Sequence, residues 1–165
     1  MAARSRFLAW SDLLTRLKGI NGRTGGYWLD VGRRVYPKLV LPEDREGMAL
    51  PYLCAPLIGT APAWTQEGDW ILCRWKQGIY GFASVKNQTI EDETSVTDVI
   101  HLAEDVIRAV MVKPYDLTGT CEDVALMDGG DEIAGVDLTD TYGEFSLFFQ
   151  VSTRLQRSNL GPLGT

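Results

Sequence analysis

Histidine is nearly absent from this 165-residue chain, in which His101 is the only one. A Ser–His–Asp triad would have to use that residue, and no G-x-S-x-G motif presents a serine nucleophile. The sequence also lacks the H-E-x-x-H zinc motif, the G-K-[ST] phosphate loop and the D-x-D-x-D-G calcium loop. It therefore predicts no catalytic residue, no metal ligand and no cofactor.

Cysteine and long apolar runs are scarce as well. Cys54, Cys73 and Cys121 are an odd number without C-x-x-C spacing, so we expect small buried side chains in a reducing compartment. No apolar run approaches the ~20 residues that cross a bilayer, and the first ten residues hold no signal-peptide core. The sequence predicts no membrane partner.

What is present is the composition of a soluble domain. Hydrophobic residues make up 45% of the chain and charged residues 23%, which is enough to build a core. At ~100–200 residues per domain, we expect a single domain over residues 1–157. Residues 158–165 contain two glycines and a proline and predict an extended tail.

Two segments have helical periodicity. Apolar residues at three- and four-residue spacing predict a helix over residues 5–19, ended by Gly19. A second helix is predicted from a cap at Thr94 or Ser95 to about Val112, and Pro114 prevents its continuation. His101 lies on this helix beside Glu104 and Asp105, where we expect it to face solvent.

Strand patterns occupy most of the remaining chain, at residues 31–41, 50–58, 69–85, 123–127, 132–138 and 141–155. Residues 69–85 fit either a hairpin that turns at Gln77 and Gly78 or one long strand with a bulge there. The order of elements predicts an α+β fold, with a mostly antiparallel sheet and two main helices packed on one face.

Charge is segregated along the chain. Residues 1–40 hold eight Lys and Arg against two acids, whereas residues 116–144 hold nine acids and no Lys or Arg. Opposite charges at two places on one chain favour a head-to-tail contact between copies, which forms a ring if the rotation closes. Simple variation of surface charge is the alternative.

Tryptophan is abundant, with five residues. Trp10, Trp70 and Trp75 lie in periodic segments and predict core packing. Trp28 and Trp64 lie in loop-like surroundings, where exposed aromatic side chains are common interface anchors.

Several segments together resemble the tail terminator (tail completion) proteins of long-tailed bacteriophages, over residues 5–155. The resemblance is carried by the helix at residues 11–17 with its glycine-rich loop, the basic strand at residues 30–36, the helix at residues 97–110, and the acidic loop before the strand at residues 143–153. The Trp-rich stretch at residues 62–75 departs from the pattern.

The resemblance implies a non-enzymatic virion protein that is assembled in the host cytoplasm. Six copies would form a ring that caps the tail tube, stops its polymerisation and joins it to the head connector or stopper, while genomic DNA passes through the lumen. We expect Arg33 and Arg34, with Trp28 and Trp64, to contact a neighbouring subunit or the tube. Acids repel DNA, so we expect acidic residues to face the channel: Asp128, Asp131, Glu132, Asp137 and Asp140.

Three other functions remain open on the sequence alone. The nearest is another phage neck protein, such as a head-completion, stopper or head–tail joining protein. A small-molecule-binding α+β domain would need an enclosed pocket with convergent polar groups. An enzyme is the third, against which the single histidine argues.

Overall fold

The first helix, α1, spans Arg6–Lys18 in the computed structural model, which describes residues 5–22, 25–57, 62–84, 97–127 and 142–156. The Ser5 hydroxyl accepts a hydrogen bond from the Leu8 amide and caps the helix. Its buried side chains are Ala9, Leu13, Leu14 and Leu17. The helix predicted over residues 5–19 is confirmed.

The second helix, α2, spans Thr97–Val110. Its buried apolar residues include Val99, Val106 and Val110, as the helical periodicity predicts. Leu102 is buried as well, whereas Ile100, which we expected on the same apolar stripe, is 51% exposed. The predicted caps Thr94 and Ser95 lie outside the described residues.

Six strands form one sheet. They are β1 (Val35–Tyr36), β2 (Tyr52–Cys54), β3 (Ala63–Glu67), β4 (Trp70–Ser84), β5 (Asp123–Leu126) and β6 (Tyr142–Gln156). Their order is β1-β2-β4-β6-β5, and β3 pairs with β4 beside β2. Every pairing is antiparallel except that of β1 with β2.

Strand β4 is one continuous strand without a hairpin or a bulge at Gln77 and Gly78. It pairs with β6 in unbroken register from Trp70, opposite Gln156, to Ser84, opposite Tyr142. Gln77 is buried, and its side-chain amide donates to the carbonyl oxygens of Pro56 and Gly78, both at 2.9 Å. These hydrogen bonds stabilise a polar side chain in the core, so the strand continues through it.

Strand β3 corrects the expectation that Trp64 lies in a loop. Residues 63–67 pair with residues 70–74 of β4 through a two-residue turn at Gly68 and Asp69. Gly68 has φ +61°, which glycine adopts without steric cost and which the first position of a type II′ turn requires. The Trp-rich stretch is therefore a β-hairpin.

Both helices pack on one face of the sheet, which we call the helix face. Trp75 and Ile79 of β4 and Phe149 of β6 lie in one buried cluster with Leu13 of α1 and Val106 of α2. The chain is thus an α+β fold with a mostly antiparallel sheet and two helices on one face, as the sequence predicts.

The opposite face of the sheet, the outer face, has its own small core. Tyr52, Cys54 and Phe82 are buried there, and the Tyr52 and Phe82 rings stack with centroids 4.6 Å apart. The guanidinium of Arg45 lies 4.6 Å from the centre of the Phe82 ring and pairs with Glu144 at 3.1 Å. Residues 36–50 therefore cover one end of this face.

All three cysteines are free and buried, as expected. Burial raises the pKa of the Cys54 and Cys73 thiols, which keeps both in the unreactive protonated form. The predicted strand at residues 132–138 and the predicted tail at residues 158–165 lie outside the described residues.

Candidate interaction surfaces

Trp28 is exposed, and its backbone segment, residues 26–29, is hydrogen-bonded to side chains of α2. The side-chain carboxylate of Asp105 accepts hydrogen bonds from the Trp28 amide at 2.9 Å and from the Leu29 amide at 2.9 Å. The indole ring stacks on the imidazole of His101, with centroids 4.4 Å apart and planes 10° apart. The side chain remains 57% exposed, so a rigid backbone presents a large apolar ring to solvent.

Asp105 is the central residue of this arrangement. It is completely buried, and its charge is balanced by the two amides and by Arg108, whose guanidinium lies 3.7 Å away. Arg108 also donates to the carbonyl oxygen of Gly26. Since His101, Asp105 and Arg108 follow each other at four- and three-residue steps, one face of α2 holds residues 26–29.

The environment of His101 therefore differs from the solvent-facing position that we predicted. It is partly buried under the Trp28 ring and does not lie free beside the acids of its helix. No local pattern signals this contact, because it joins residues 73 positions apart in the chain.

Arg33 and Arg34 are adjacent in sequence but differ in their surroundings. Arg33 is exposed. The guanidinium of Arg34 donates to the backbone carbonyls of Val31 and Asp30, so it stabilises the turn before β1. Arg33 is thus the residue of this pair whose charge is available to another chain.

Trp64 lies on the helix face at the edge of the sheet. It pairs with the buried Cys73 of β4, yet its own ring is 58% exposed. Every residue of β3 is exposed. Among the described residues the strand pairs with β4 alone, so its other backbone edge is open. Trp28 and Trp64 thus both have the exposure that an interface requires, and that role stays a prediction.

The five acids predicted to face a channel, Asp128, Asp131, Glu132, Asp137 and Asp140, lie outside the described residues. The other four of the nine acids at residues 116–144 are described, at positions 116, 122, 123 and 144. Glu144 is paired with Arg45 on the outer face, and Asp123 is exposed on β5.

A cleft of about 460 Å³ adjoins the aromatic core of the outer face. It is lined by Arg45, Met48, Leu50, Tyr52 and Tyr142, with two further residues of the same loop. Arg45 is already bound to Glu144 and to the Tyr142 hydroxyl at 3.4 Å. The guanidinium of the cleft is therefore used within the fold, while the second charged residue of the lining, Glu46, is exposed.

Within the described ranges, no three His, Cys, Asp or Glu side chains are placed to hold a metal ion. The two helices have 13 and 14 residues, and no helix in the part of the chain that the structure describes is long and apolar enough to span a membrane.

No protein-family model matches the chain, and no curated protein matches it.

Proposed function

We propose that this protein is a tail terminator of a long-tailed bacteriophage, a structural protein of the virion without catalytic activity. Six copies form a ring on the end of the tail tube. The ring stops polymerisation of the tube protein and offers its other side to the head connector or stopper, and the genome passes through its lumen.

The observation that carries the proposal is the fold. The resemblance implies a sheet with helices on one face, a basic strand early in the chain and a long strand after an acidic loop. The described residues fit this order in part, with α1, a basic turn leading into the two-residue strand β1 where the resemblance implies a basic strand, then α2 and the fifteen-residue strand β6. The acid-rich residues 128–141 lie outside the described residues. A sheet with helices on one face and exposed edges suits side-by-side assembly.

The distribution of exposed groups supports assembly further. Trp28 is held rigidly while its ring remains exposed, which lowers the entropic cost of burying it in an interface. Arg33, one of the basic residues of segment 1–40, is exposed and forms no ion pair with the residues that the structure describes. The acid-rich residues 128–141 offer the opposite charge and, in a lumen, avoid attraction of DNA phosphates.

The test is a length assay of tail tubes. Tube protein from the same phage is polymerised with and without the purified chain, and tube lengths are measured by electron microscopy. We expect short capped tubes, and a ring of six times 18.3 kDa, about 110 kDa, by light scattering. Tubes that elongate equally with and without the chain would refute the proposal. Binding to the head connector without binding to tubes would identify a stopper or head-completion protein instead.

One charge reversal sharpens this test. Arg33→Glu should weaken ring formation at least tenfold, and Arg33→Gln should weaken it less, because the glutamine adds no repulsion. Lys113→Glu changes an exposed residue after α2 by the same charge and serves as the control. Equal association of Arg33→Glu and Lys113→Glu would exclude Arg33 from the interface.

A further inference from the structure

Two open edges flank the same four strands. In the order β3-β4-β6-β5, β3 pairs with β4 alone and β5 pairs with β6 alone among the described residues. We propose that the β5 edge of one subunit pairs with the β3 edge of the next, so that one sheet continues from subunit to subunit. The inference rests on the ring of the proposed function, and its occupant is a second copy of this chain.

Strand direction supports this pairing. The four strands alternate, so β3 and β5 run in opposite directions. In a cyclic ring every copy has the same orientation along the axis, and β5 of one copy therefore meets β3 of the next antiparallel. Antiparallel pairing is the more stable kind. With an odd number of strands from β3 to β5, the two edges would instead meet parallel.

The residues that direct their backbone groups outward alternate in the same way on β5 and on β3, as pairing between the two strands requires. The Met127 amide donates to the Phe148 carbonyl, so residues 123, 125 and 127 bond to β6, whereas Val124 and Leu126 direct their amides outward. The tight turn at Gly68 likewise directs the amides of Trp64 and Gln66 away from β4. Within the described residues, both edges thus direct backbone donors and acceptors outward, at Val124 and Leu126 on β5 and at Trp64 and Gln66 on β3. Glu122, just before β5, instead donates to the Ser152 carbonyl.

Apolar side chains match as well. Trp64 lies on the helix face with Cys73, and Val124 and Leu126 lie on that face with Val151 and Phe149. Antiparallel partners share a face, so Trp64 lies opposite one of these two residues and diagonal to the other. The pairing buries apolar side chains that are exposed in the monomer by 58% for Trp64 and 42% for Leu126.

Charges select the register. Placing Trp64 opposite Leu126 puts Glu67 directly opposite Asp123, which is unfavourable. Placing Trp64 opposite Val124 puts Thr65 opposite Asp123 and removes this repulsion. In this register Arg74 lies on the outer face in line with Ala63 and Ala125, one same-face residue pair along from Asp123, so its positive charge partly offsets that carboxylate. Arg74 and Asp123 are both exposed in the single chain.

The favoured register makes Ala63 and Ala125 direct neighbours across the interface. They form a pair without mutual hydrogen bonds, in which Cα atoms lie about 4.5 Å apart, within disulfide range. Oxidation of Ala63→Cys/Ala125→Cys should therefore give a ladder of linked subunits up to six on a non-reducing gel. The native cysteines are buried and do not interfere.

Matched variants separate the alternatives. Thr65→Cys/Ala125→Cys tests the register shifted by two residues and should link at least tenfold less. Ala63→Cys alone should give no dimer, and a strong dimer would overturn the proposal in favour of a symmetric β3–β3 contact. A ladder in the shifted pair alone overturns the register and the charge argument with it. Absence of any ladder from assembled rings overturns the proposal.

The two proposals fail in different ways. If the cysteine variant caps tubes but does not crosslink, the proposed function is supported and the shared sheet is overturned. If the variant crosslinks into rings but leaves tube lengths unchanged, the shared sheet is supported and the proposed function is overturned. A wild-type chain that stays monomeric by light scattering at millimolar concentration, together with an Ala63→Cys/Ala125→Cys variant that gives no crosslink on tubes, also overturns the shared sheet.

Discussion

The Asp105 carboxylate holds the Trp28 backbone, accepting its amide hydrogen at 2.9 Å from a position with no solvent exposure. Hydrogen bonds to a buried charge contribute more than neutral ones, about 1.5–3 kcal/mol each. This contact joins the loop after α1 to the middle of α2. It also fixes the orientation of an exposed aromatic ring.

Asp105→Asn should destabilise the fold by about 2–3 kcal/mol, because the amide removes the charge that Arg108 and two backbone amides share. Urea denaturation measures the change. Glu104→Gln, on the exposed side of the same helix, should stay within ~0.5 kcal/mol of the wild type. Equal effects of the two substitutions would show that the carboxylate charge is unimportant.

Arg16→Lys should cost about 1–2 kcal/mol. The Arg16 guanidinium donates to the carbonyl oxygens of Val110, Val112 and Pro114, at 3.1, 2.8 and 2.6 Å. A lysine keeps the favourable charge at the C-terminus of α2 but lacks the planar fork that reaches all three oxygens. Thermal unfolding compares it with Lys18→Gln at the exposed end of α1, which we expect to be neutral. A fully stable Arg16→Lys variant would mean that charge alone suffices.

Gly81→Ala should destabilise the central strands by about 1–3 kcal/mol. A Cβ atom at this position would lie 2.2 Å from carbons of the Phe145 ring, and that ring is buried between sheet and helices. Phe145→Leu should cost less in the Gly81→Ala background than in the wild type, which a double-mutant cycle of unfolding free energies measures. Gly78→Ala is the control, since its Cβ would approach the partly exposed Tyr80 ring at 3.0 Å. Additive effects of the two substitutions would argue against the clash.

Alkaline solution should destabilise the outer-face core through Tyr52. Burial raises the pKa of Tyr52 to about 12 from its ordinary value of 10, with Arg45 opposing the shift. The folded state therefore retains the proton longer than the unfolded state. This stabilisation is complete below pH 10 and is lost as the pH rises towards 12, to a total of about 2–3 kcal/mol.

Tyr52→Phe removes this dependence, which urea denaturation between pH 9 and 12 measures against the wild type. Tyr115→Phe, at an exposed residue after α2, controls for tyrosine ionisation in general. A wild type and a Tyr52→Phe variant with parallel pH profiles would contradict the assignment.

Local periodicity was sufficient to predict the two helices and the long strand β6, but it did not decide between a hairpin and a bulged strand for β4. The stripe of α2 and the alternation of β6 each reflect burial on one face, and burial of this kind leaves a pattern in the sequence. Gln77 breaks the pattern of β4, because its partner is the Pro56 carbonyl, 21 positions away. Strand β3 left no pattern since both of its faces are exposed.

The candidate surfaces were less predictable than the fold. Exposure of Trp28 and Trp64 followed from their unpatterned surroundings, but the stacking of Trp28 on His101 and the internal bonding of Arg34 depend on contacts that only the folded chain forms. Sequence reasoning also missed Asp105, which reads as one more acid on a helix. Its spacing from His101 and Arg108 was the available signal.

If successive copies share one sheet as proposed, the even number of strands from β3 to β5 also limits how this architecture can evolve. Adding or deleting one strand at either border would reverse the polarity at that border, and successive copies could no longer join antiparallel. Whole hairpins preserve the match. Lineages descended from this chain should therefore gain or lose peripheral strands two at a time.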